Sequence, residues 1–340
     1  MVRRDRDPFL QWIDLAQPRL GSTVVFATDD FFADKARLIS PHEPIWREGE
    51  YDDNGKWMDG WESRRKRSEG HDFAIVRLGV PGVLRGFDID TRFFTGNYPP
   101  EAAIDACVST NAIPPPDTVW DKVVGRIGLV GDSHHYVAAD NVNKDVEYTH
   151  VRLHIYPDGG VARLRIYGEI RPDWAEVGDN ELIDLVALTN GGKALICNDE
   201  HFGSMRNLNA PGNALNMGDG WETARRREPG NDWVILALGH PGVIRTIHVD
   251  TSHFKGNYPD HVVIQAVQTT TSYPPDLANQ SIDWPHLLPS VKLGPDRLHE
   301  FVSELYDVGP VSHIRINMYP DGGLARIRLF GVLARDDTLS

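Results

Sequence analysis

Cysteine is nearly absent from this chain of 340 residues; only Cys107 and Cys197 occur. Two thiols so far apart cannot build a disulfide framework. Without a Cys-x-x-Cys pair, a structural zinc site is not expected either. Two buried thiols in a reducing compartment is the simpler expectation. Net positive charge is also missing. Acidic residues outnumber Lys and Arg by 49 to 35, a formal charge of −14. A nucleic-acid reader needs a basic stripe, and an anionic membrane attracts basic surfaces, so neither partner is expected. No apolar run approaches the roughly 18 residues that span a bilayer. The opening residues, Met-Val-Arg-Arg-Asp-Arg-Asp-Pro, have no apolar stretch behind their charges, so no secretory signal is expected. A soluble cytoplasmic protein follows as the expectation. Generic catalytic signatures are missing too: no Gly-x-Ser-x-Gly elbow, P-loop, dinucleotide fingerprint or His-Glu-x-x-His.

What is present is an ordinary globular composition, 41% hydrophobic and 25% charged, in enough chain for about two domains. It is also present twice. Residues 59–107 and 219–267 align without a gap, and roughly half of the paired positions are identical. DGWESRRKR pairs with DGWETARRR, LGVPGVLR with LGHPGVIR, and DTRFFTGNYP with DTSHFKGNYP. WIDLAQ (12–17) matches LIDLVA (182–187), and HVRLHIYPDGGVARLRIYG (150–168) matches HIRINMYPDGGLARIRLFG (313–331). The shift between copies is 170 at the first match, 160 in the middle and 163 at the last. The first copy therefore holds ten extra residues between Pro41 and Asp59, and the second holds three more, in net, after Cys107. This places one domain at 12–170, a polar linker at 171–181 and a second domain at 182–333.

Each copy reads as β structure. FAIVRL (73–78) and WVILAL (233–238) are short apolar runs, and LRGFDIDT (84–91) and IRTIHVDT (244–251) alternate. The runs flanking Pro-Asp-Gly-Gly have the pattern of a hairpin, with Asp158 and Asp321 bracing the turn. In ARLRIYG, Arg163 and Arg165 share one face and Leu164 and Ile166 the other. Residues 296–306 are a helix or a turn. With 23 Pro and 31 Gly to supply loops, the chain is expected to be all-β, two tandem jelly-roll sandwiches.

The DGWE segment is the most informative stretch for chemistry. Asp59, Trp61 and Glu62 precede Arg64, Arg65, Lys66 and Arg67; Asp219, Trp221 and Glu222 precede Arg225, Arg226 and Arg227. A planar guanidinium grips a carboxylate through two parallel hydrogen bonds, and a nearby Asp or Glu can orient N–H groups or carry a proton. A self-satisfied ion-pair network explains the same residues. Asn97 and Asn257, in GNYP, are turn residues that can also offer an amide. His253 stands where the first copy has Phe93, so it breaks the symmetry as a single catalytic group would. His71 likewise becomes Asn231, and Arg64 becomes Ala224. The pair His134-His135 is the one histidine doublet with metal-ligand potential, and only His299 aligns with it. No cofactor and no metal ligand set are assigned.

These doubled motifs, in this order and over nearly the whole chain, resemble the allantoicase family. The resemblance implies two jelly rolls related to galactose-binding-like sandwiches. It also implies hydrolysis of allantoate to ureidoglycolate and urea in purine (ureide) catabolism, with a homo-oligomeric enzyme and allantoate as its small-molecule partner. Allantoate carries one carboxylate and two ureido arms on a single carbon. On the matched motifs, Arg65 or Arg225, with Arg67 and Arg227 beside them, would hold the carboxylate. Asp59, Asp219, Asn97 and Asn257 would hold ureido groups, and Glu62, Glu222 or His253 would do the proton work. The competing class is a sugar- or ureide-binding module without catalysis, with Trp46, Trp57 and Trp61 as a platform. A structural assembly protein is a third reading.

Overall fold

The computed structural model describes Phe9 and residues 12–335; the charged opening segment 1–8 lies outside the described residues. The chain divides into two compact units, Met1–Arg171 and Pro172–Ser340. Each is a two-sheet β-sandwich built on one unusually long strand, Asp72–Asp90 or Asp232–Asp250. The two runs expected as separate strands, 73–78 and 84–91, are halves of that strand, joined through Leu-Gly-Val-Pro-Gly. Its first half pairs with Thr23–Ala27 and Tyr148–Tyr156, and that sheet continues to Glu101–Cys107 and Asp121–Gly128. Its second half pairs with Arg163–Glu169 and His134–Ala138, and Ile13–Asp14 closes that edge. The second unit repeats the same order.

Alternation dictates this packing, because each strand has one apolar face that must be covered. In the second unit Val234, Leu236, Ile264, Ile314 and Ile316 of one sheet join Ile247, Val249, Ile327 and Leu329 of the other in one buried cluster. Each such side chain contributes roughly 1.5–3 kcal/mol on burial. Cys107 and Cys197 are free buried thiols, and burial pushes the Cys107 thiol up to about 11.

Two expectations are corrected. The runs around Pro-Asp-Gly-Gly do not form a hairpin. Tyr148–Tyr156 and Arg163–Glu169 lie in different sheets, and the turn arches between them. Within that arch Gly160–Val161 pairs with Trp61–Glu62, and Gly323–Leu324 with Trp221–Glu222. A period of two looks the same whether neighbouring runs pair with each other or with a third strand. Residues 296–306 contain a strand, Leu298–Phe301, paired with Ile247–Asp250, and no helix. The one α-helix among the described residues is Pro274–Gln280, in the segment where the second copy is longer. Part of the stretch read as a linker, Trp174 and Val177, packs on the core of the second unit.

Candidate functional site

Each repeat builds the same arrangement from the arch and the DGWE segment. Trp61 and Trp221 point inward and are fully buried. Their indole N–H groups donate to the Asp29 and Asp199 carbonyls at 2.8 and 2.9 Å. Strand alternation then turns Glu62 and Glu222 outward. There the Asn97 amide donates to Glu62 Oε1 at 2.7 Å, and the Asn257 amide to Glu222 Oε1. Both asparagines are fixed from behind, because Gly160 and Gly323 donate their N–H groups to the Asn97 and Asn257 carbonyls at 2.7 and 2.8 Å.

The double glycine of the arch has two separate jobs. Gly322 has φ of +136°, outside ordinary L-residue space. Gly323 faces Phe254 so closely that a Cβ would lie 1.9 Å from its ring. Asp158 and Asp321, expected to brace this turn, accept the backbone N–H of Lys66 and Arg226 at 2.7 and 2.9 Å. They therefore tie the arch to the basic run.

The basic run sorts itself by partner. Lys66 and Arg226 reach buried Asp72 and Asp232 at 2.6 and 2.7 Å. Arg64 pairs with Asp29 at 2.6 Å, while Ala224 keeps only the backbone half of that contact, donating to Asp199 at 2.6 Å. Arg65, Arg67, Arg225 and Arg227 are exposed and have no carboxylate partner among the described residues. In the second repeat Arg225, Glu222 and Asn257 line one open cleft of about 590 Å³, with Phe202, Tyr258 and Asp321 also on its walls. An unpaired guanidinium that shares a cleft with fixed acceptors suits a molecule that is anionic at one end and rich in N–H at the other. In the first repeat, burial pushes the Glu62 carboxyl above its ordinary value. The Asn97 hydrogen bond opposes that push, and negative Asp52, from the extra hairpin Tyr51–Lys56, adds to it.

Other candidates are engaged elsewhere. Asp59 pairs with Arg163 at 2.8 Å and accepts Ile45 N–H at 2.9 Å. Asp219 pairs with Arg326 at 2.9 Å and accepts Leu215 N–H at 3.1 Å. These carboxylates neutralise buried guanidiniums and turn away from the cleft. His253 donates Nε2–H to the Ala214 carbonyl at 2.9 Å. Its φ of 73° matches the 68° of Phe93, so the two residues fill one turn position and the asymmetry there is one of filler. His135 and His299 play one role: each accepts a loop N–H at Nε2 (Val130 at 2.9 Å, Gly294 at 2.8 Å) and bonds a strand carbonyl through Nδ1. His134 pairs with Asp88 at 2.7 Å. Among the described residues no three His, Cys, Asp or Glu side chains gather as a metal site. Of the tryptophans suggested as a sugar platform, Trp61 is in the core. Trp57 lies under Arg37 and Arg47, and Trp46 lies under Lys56 and against Phe93.

Sequence reasoning passed over Tyr258 and the arch glycines as site walls. It also passed over the chain of polar side chains Asp105, His154 and His71 as a unit, having singled out only His71 for its exchange to Asn231. Its available signal was an unmatched polar pattern on strands: Asp105 and His154 against Gln265 and Asn317.

Comparison with known proteins agrees with this duplicated geometry. The family described as the allantoicase repeat matches residues 13–171 and again 183–334. A protein of Photobacterium profundum named "Probable allantoicase" is 55% identical over 323 residues, covering 95% of this chain and 97% of that one. A protein of Pseudomonas fluorescens with the same name is 54% identical, covering 96% and 98%. The crystal structure of allantoicase from Saccharomyces cerevisiae superposes with a TM-score of 0.80 at 35% identity, covering 94% of this chain and 92% of that one.

Proposed function

The chain belongs to the allantoicase family, and from that premise we propose that the cleft between Arg65 and the Glu62–Asn97 pair, and its counterpart at Arg225, Glu222 and Asn257, binds the allantoate that the enzyme hydrolyses to ureidoglycolate and urea. The observation that carries this reading is the pairing, in both repeats, of an unpartnered arginine with a fixed amide–carboxyl couple. A ureido arm presents N–H donors. The Asn side-chain carbonyl, whose amide end is already committed to Glu, is left to accept one of them. The arginine takes the substrate carboxylate, with Arg67 or Arg227 nearby, and so fixes which arm faces the couple. This reading gives no binding or proton role to Asp59, Asp219 and His253, whose side chains bond Arg163, Arg326 and the Ala214 carbonyl.

In the reaction, water adds its oxygen to the central carbon and the bond from that carbon to one ureido nitrogen breaks. The departing nitrogen needs a proton to leave as neutral urea. Glu62 supplies it, because burial and Asp52 favour the protonated carboxyl. The proton released by water restores the balance. A cytoplasmic homo-oligomer without nucleic-acid or membrane partners fits the acidic chain and belongs to the same proposal. No helix among the described residues is long and apolar enough to cross a membrane.

The test is urea release from allantoate by purified protein, with and without a chelator, alongside the Arg65→Ala/Arg225→Ala double variant. A charge-assisted hydrogen bond to the substrate is worth roughly 1.5–3 kcal/mol, or about 10- to 150-fold in kcat/KM. A double variant that turns over at the wild-type rate refutes the assignment. Saturable glycan binding without urea release would restore the binding-module reading.

A further inference from the structure

The ten extra residues of the first repeat sit between two anchors that both repeats share. Arg163 Nε–H donates to the His42 carbonyl at 2.9 Å, and Arg326 Nε–H to the Gly212 carbonyl at 3.2 Å. Three residues on, the N–H groups of Ile45 and Leu215 donate to Asp59 Oδ2 and Asp219 Oδ2 at 2.9 and 3.1 Å. The two loops therefore match as far as Ile45 and Leu215, and match again from Asp59 and Asp219. Between those points the second repeat has only Asn-Met-Gly (216–218), where the first has residues 46–58.

The insertion folds into a hairpin with its own supports. Tyr51–Asp52 pairs with Gly55–Lys56. Asp52 Oδ1 accepts the Asn54 N–H at 3.0 Å, and the Trp57 N–H donates to the Glu50 carbonyl at 3.0 Å. Lys56 lies 4.0 Å over the Trp46 ring, and that ring stacks on Phe93 at 6.2 Å. Cation–π and stacking contacts of this kind hold the hairpin against the turn that leads to Asn97.

Two relations place the hairpin, and both involve residues whose counterparts line the second-repeat cleft. Phe32 and Phe202 hold one position, each donating its N–H to the carbonyl of Glu62 or Glu222, at 3.3 or 3.1 Å. Phe202 is a wall of the cleft and 63% exposed. Phe32 is half-buried, and Gly55 of the hairpin lies by its ring, where an added Cβ would stand 3.7 Å away. Asp52, paired with Gly55 across the hairpin, is near enough for its charge to act on the carboxyl of Glu62, the counterpart of Glu222. The hairpin thus covers in the first repeat what the second leaves open. The short loop of the second repeat brings Met217, whose sulfur lies 3.8 Å from the Asn257 amide nitrogen and carries no charge.

We infer that the hairpin Tyr51–Lys56 makes the first repeat the hydrolytic one of the two, with Asp52 as a positioning residue that acts on allantoate hydrolysis through Glu62. The inference rests on the functional reading above and decides between its two sites. The step balances. The bond from the central carbon to the ureido nitrogen breaks with its electron pair on nitrogen, and that nitrogen takes the Glu62 proton to leave as urea. The oxygen of water bonds to the carbon in its place, and the proton that water releases returns to Glu62. Glu222, beside Met217 and an open cleft, has neither the cover nor the neighbouring carboxylate that would keep a proton on it at neutral pH.

The charges around Glu62 suit this role. Burial raises its carboxyl, the Asn97 hydrogen bond opposes that, and Asp52 adds to the rise. Cations on the surrounding elements are engaged with other carboxylates: Arg47 with Glu50 at 2.9 Å, Arg64 with Asp29 at 2.6 Å, Lys66 with Asp72 at 2.6 Å, and Arg92 with Asp90 and Glu43. Asp158 of the arch accepts the Lys66 N–H. Glu48 and Asp53 of the insertion are exposed to solvent, and Arg65 is left for the substrate.

The second repeat supplies the control loop. Replacing residues 46–57 by Asn-Met gives the first repeat the short connection that the fold already accommodates between the same anchors, and leaves Met58 in its buried place. Although the second repeat is untouched, kcat at pH 7 should fall by about 10²-fold or more, the lower end of acid–base assistance. Were both repeats hydrolytic, half of the turnover would survive, and that result would overturn the inference. Asp52→Asn removes the charge and keeps the hairpin, because an amide oxygen still accepts the Asn54 N–H. Losing a negative neighbour lowers the Glu62 pKa, so the fall of kcat with rising pH should begin lower by about 0.2–0.7 pH unit, the span of an exposed charge pair, with KM changed little. A limb that stays in place would overturn the role of Asp52, and this variant decides alone if the loop exchange fails to fold. A wild type that releases no urea would instead sink the functional reading, whatever the loops do.

Discussion

Replacing Asp219 with alanine separates a structural carboxylate from a binding one. Arg326 is only 4% exposed, and Asp219 holds it twice, through its carboxylate at 2.9 Å and through its backbone carbonyl. The backbone contact survives the substitution, but the charge balance does not. A guanidinium left buried without its carboxylate costs roughly 3–5 kcal/mol. In a unit of this size each kcal/mol moves the melting temperature by about 2–4 °C, so the transition of the second repeat should fall by about 6–20 °C. Arg225→Ala should move it by no more than about 0.5 kcal/mol, because Arg225 is exposed and unpartnered. The assay is calorimetry of both variants, with urea-release kinetics measured well below the transition. The double variant Asp219→Ala/Arg326→Met should recover part of the loss, since it removes the buried charge with its partner. An Asp219→Ala protein with an unchanged transition and a raised KM would refute the reasoning and return Asp219 to the substrate.

Three further outcomes follow from the geometry. If Glu62 is the proton donor, kcat should fall as pH rises through its pKa, which lies above the ordinary carboxyl value; Glu62→Gln should lose that limb, and a retained limb would exclude the role. His313 is pushed down to about 4 by burial, so above pH 6.5 it is neutral in both folded and unfolded states. Below pH 6.5 the unfolded state binds the extra proton, so acid titration should remove up to ~3 kcal/mol from the second repeat by pH 4, and His313→Asn should flatten that loss. Gly323→Ala should destabilise the arch by about 1–3 kcal/mol or more, because its Cβ would meet the Phe254 ring at 1.9 Å; an unshifted melt would show that the ring yields freely.

Local pattern carried most of the fold into view. The repeat, the alternation of 84–91 and 244–251 and the arch glycines all follow from residues a few positions apart. Partners far along the chain did not. Arg163 and Arg165 share a face as alternation requires, yet that face is sealed by the loop carrying Ser40, His42 and Asp59, more than a hundred residues earlier. Nothing in DGWE announces that its Asp is committed to Arg163 while its Glu meets the Asn97 amide. The same limit explains His253. A residue type found in one copy looks functional until its backbone is seen to occupy the turn of Phe93. The polar chain of His71, His154 and Asp105 was hidden for the opposite reason. Two members sit on the strands Tyr148–Tyr156 and Glu101–Cys107 and the third just before Asp72–Asp90, and only the pairing of those strands brings 71, 105 and 154 together.

The long strand Asp72–Asp90 belongs to both sheets, with ladder partners on each side along each half. Neither sheet can therefore open while the other keeps its central member. Hydrogen exchange at Val76, in one sheet, and at Ile89, in the other, should proceed through a single opening event with nearly the same free energy. A fragment ending at the bend near Pro81 would keep one partner of the first sheet's central ladder and none of the second's. The smallest piece of this chain able to hold its shape is then a whole repeat. Duplication supplied the protein with two such indivisible pieces, one free to keep a titratable chain of side chains while the other kept its neutral outline.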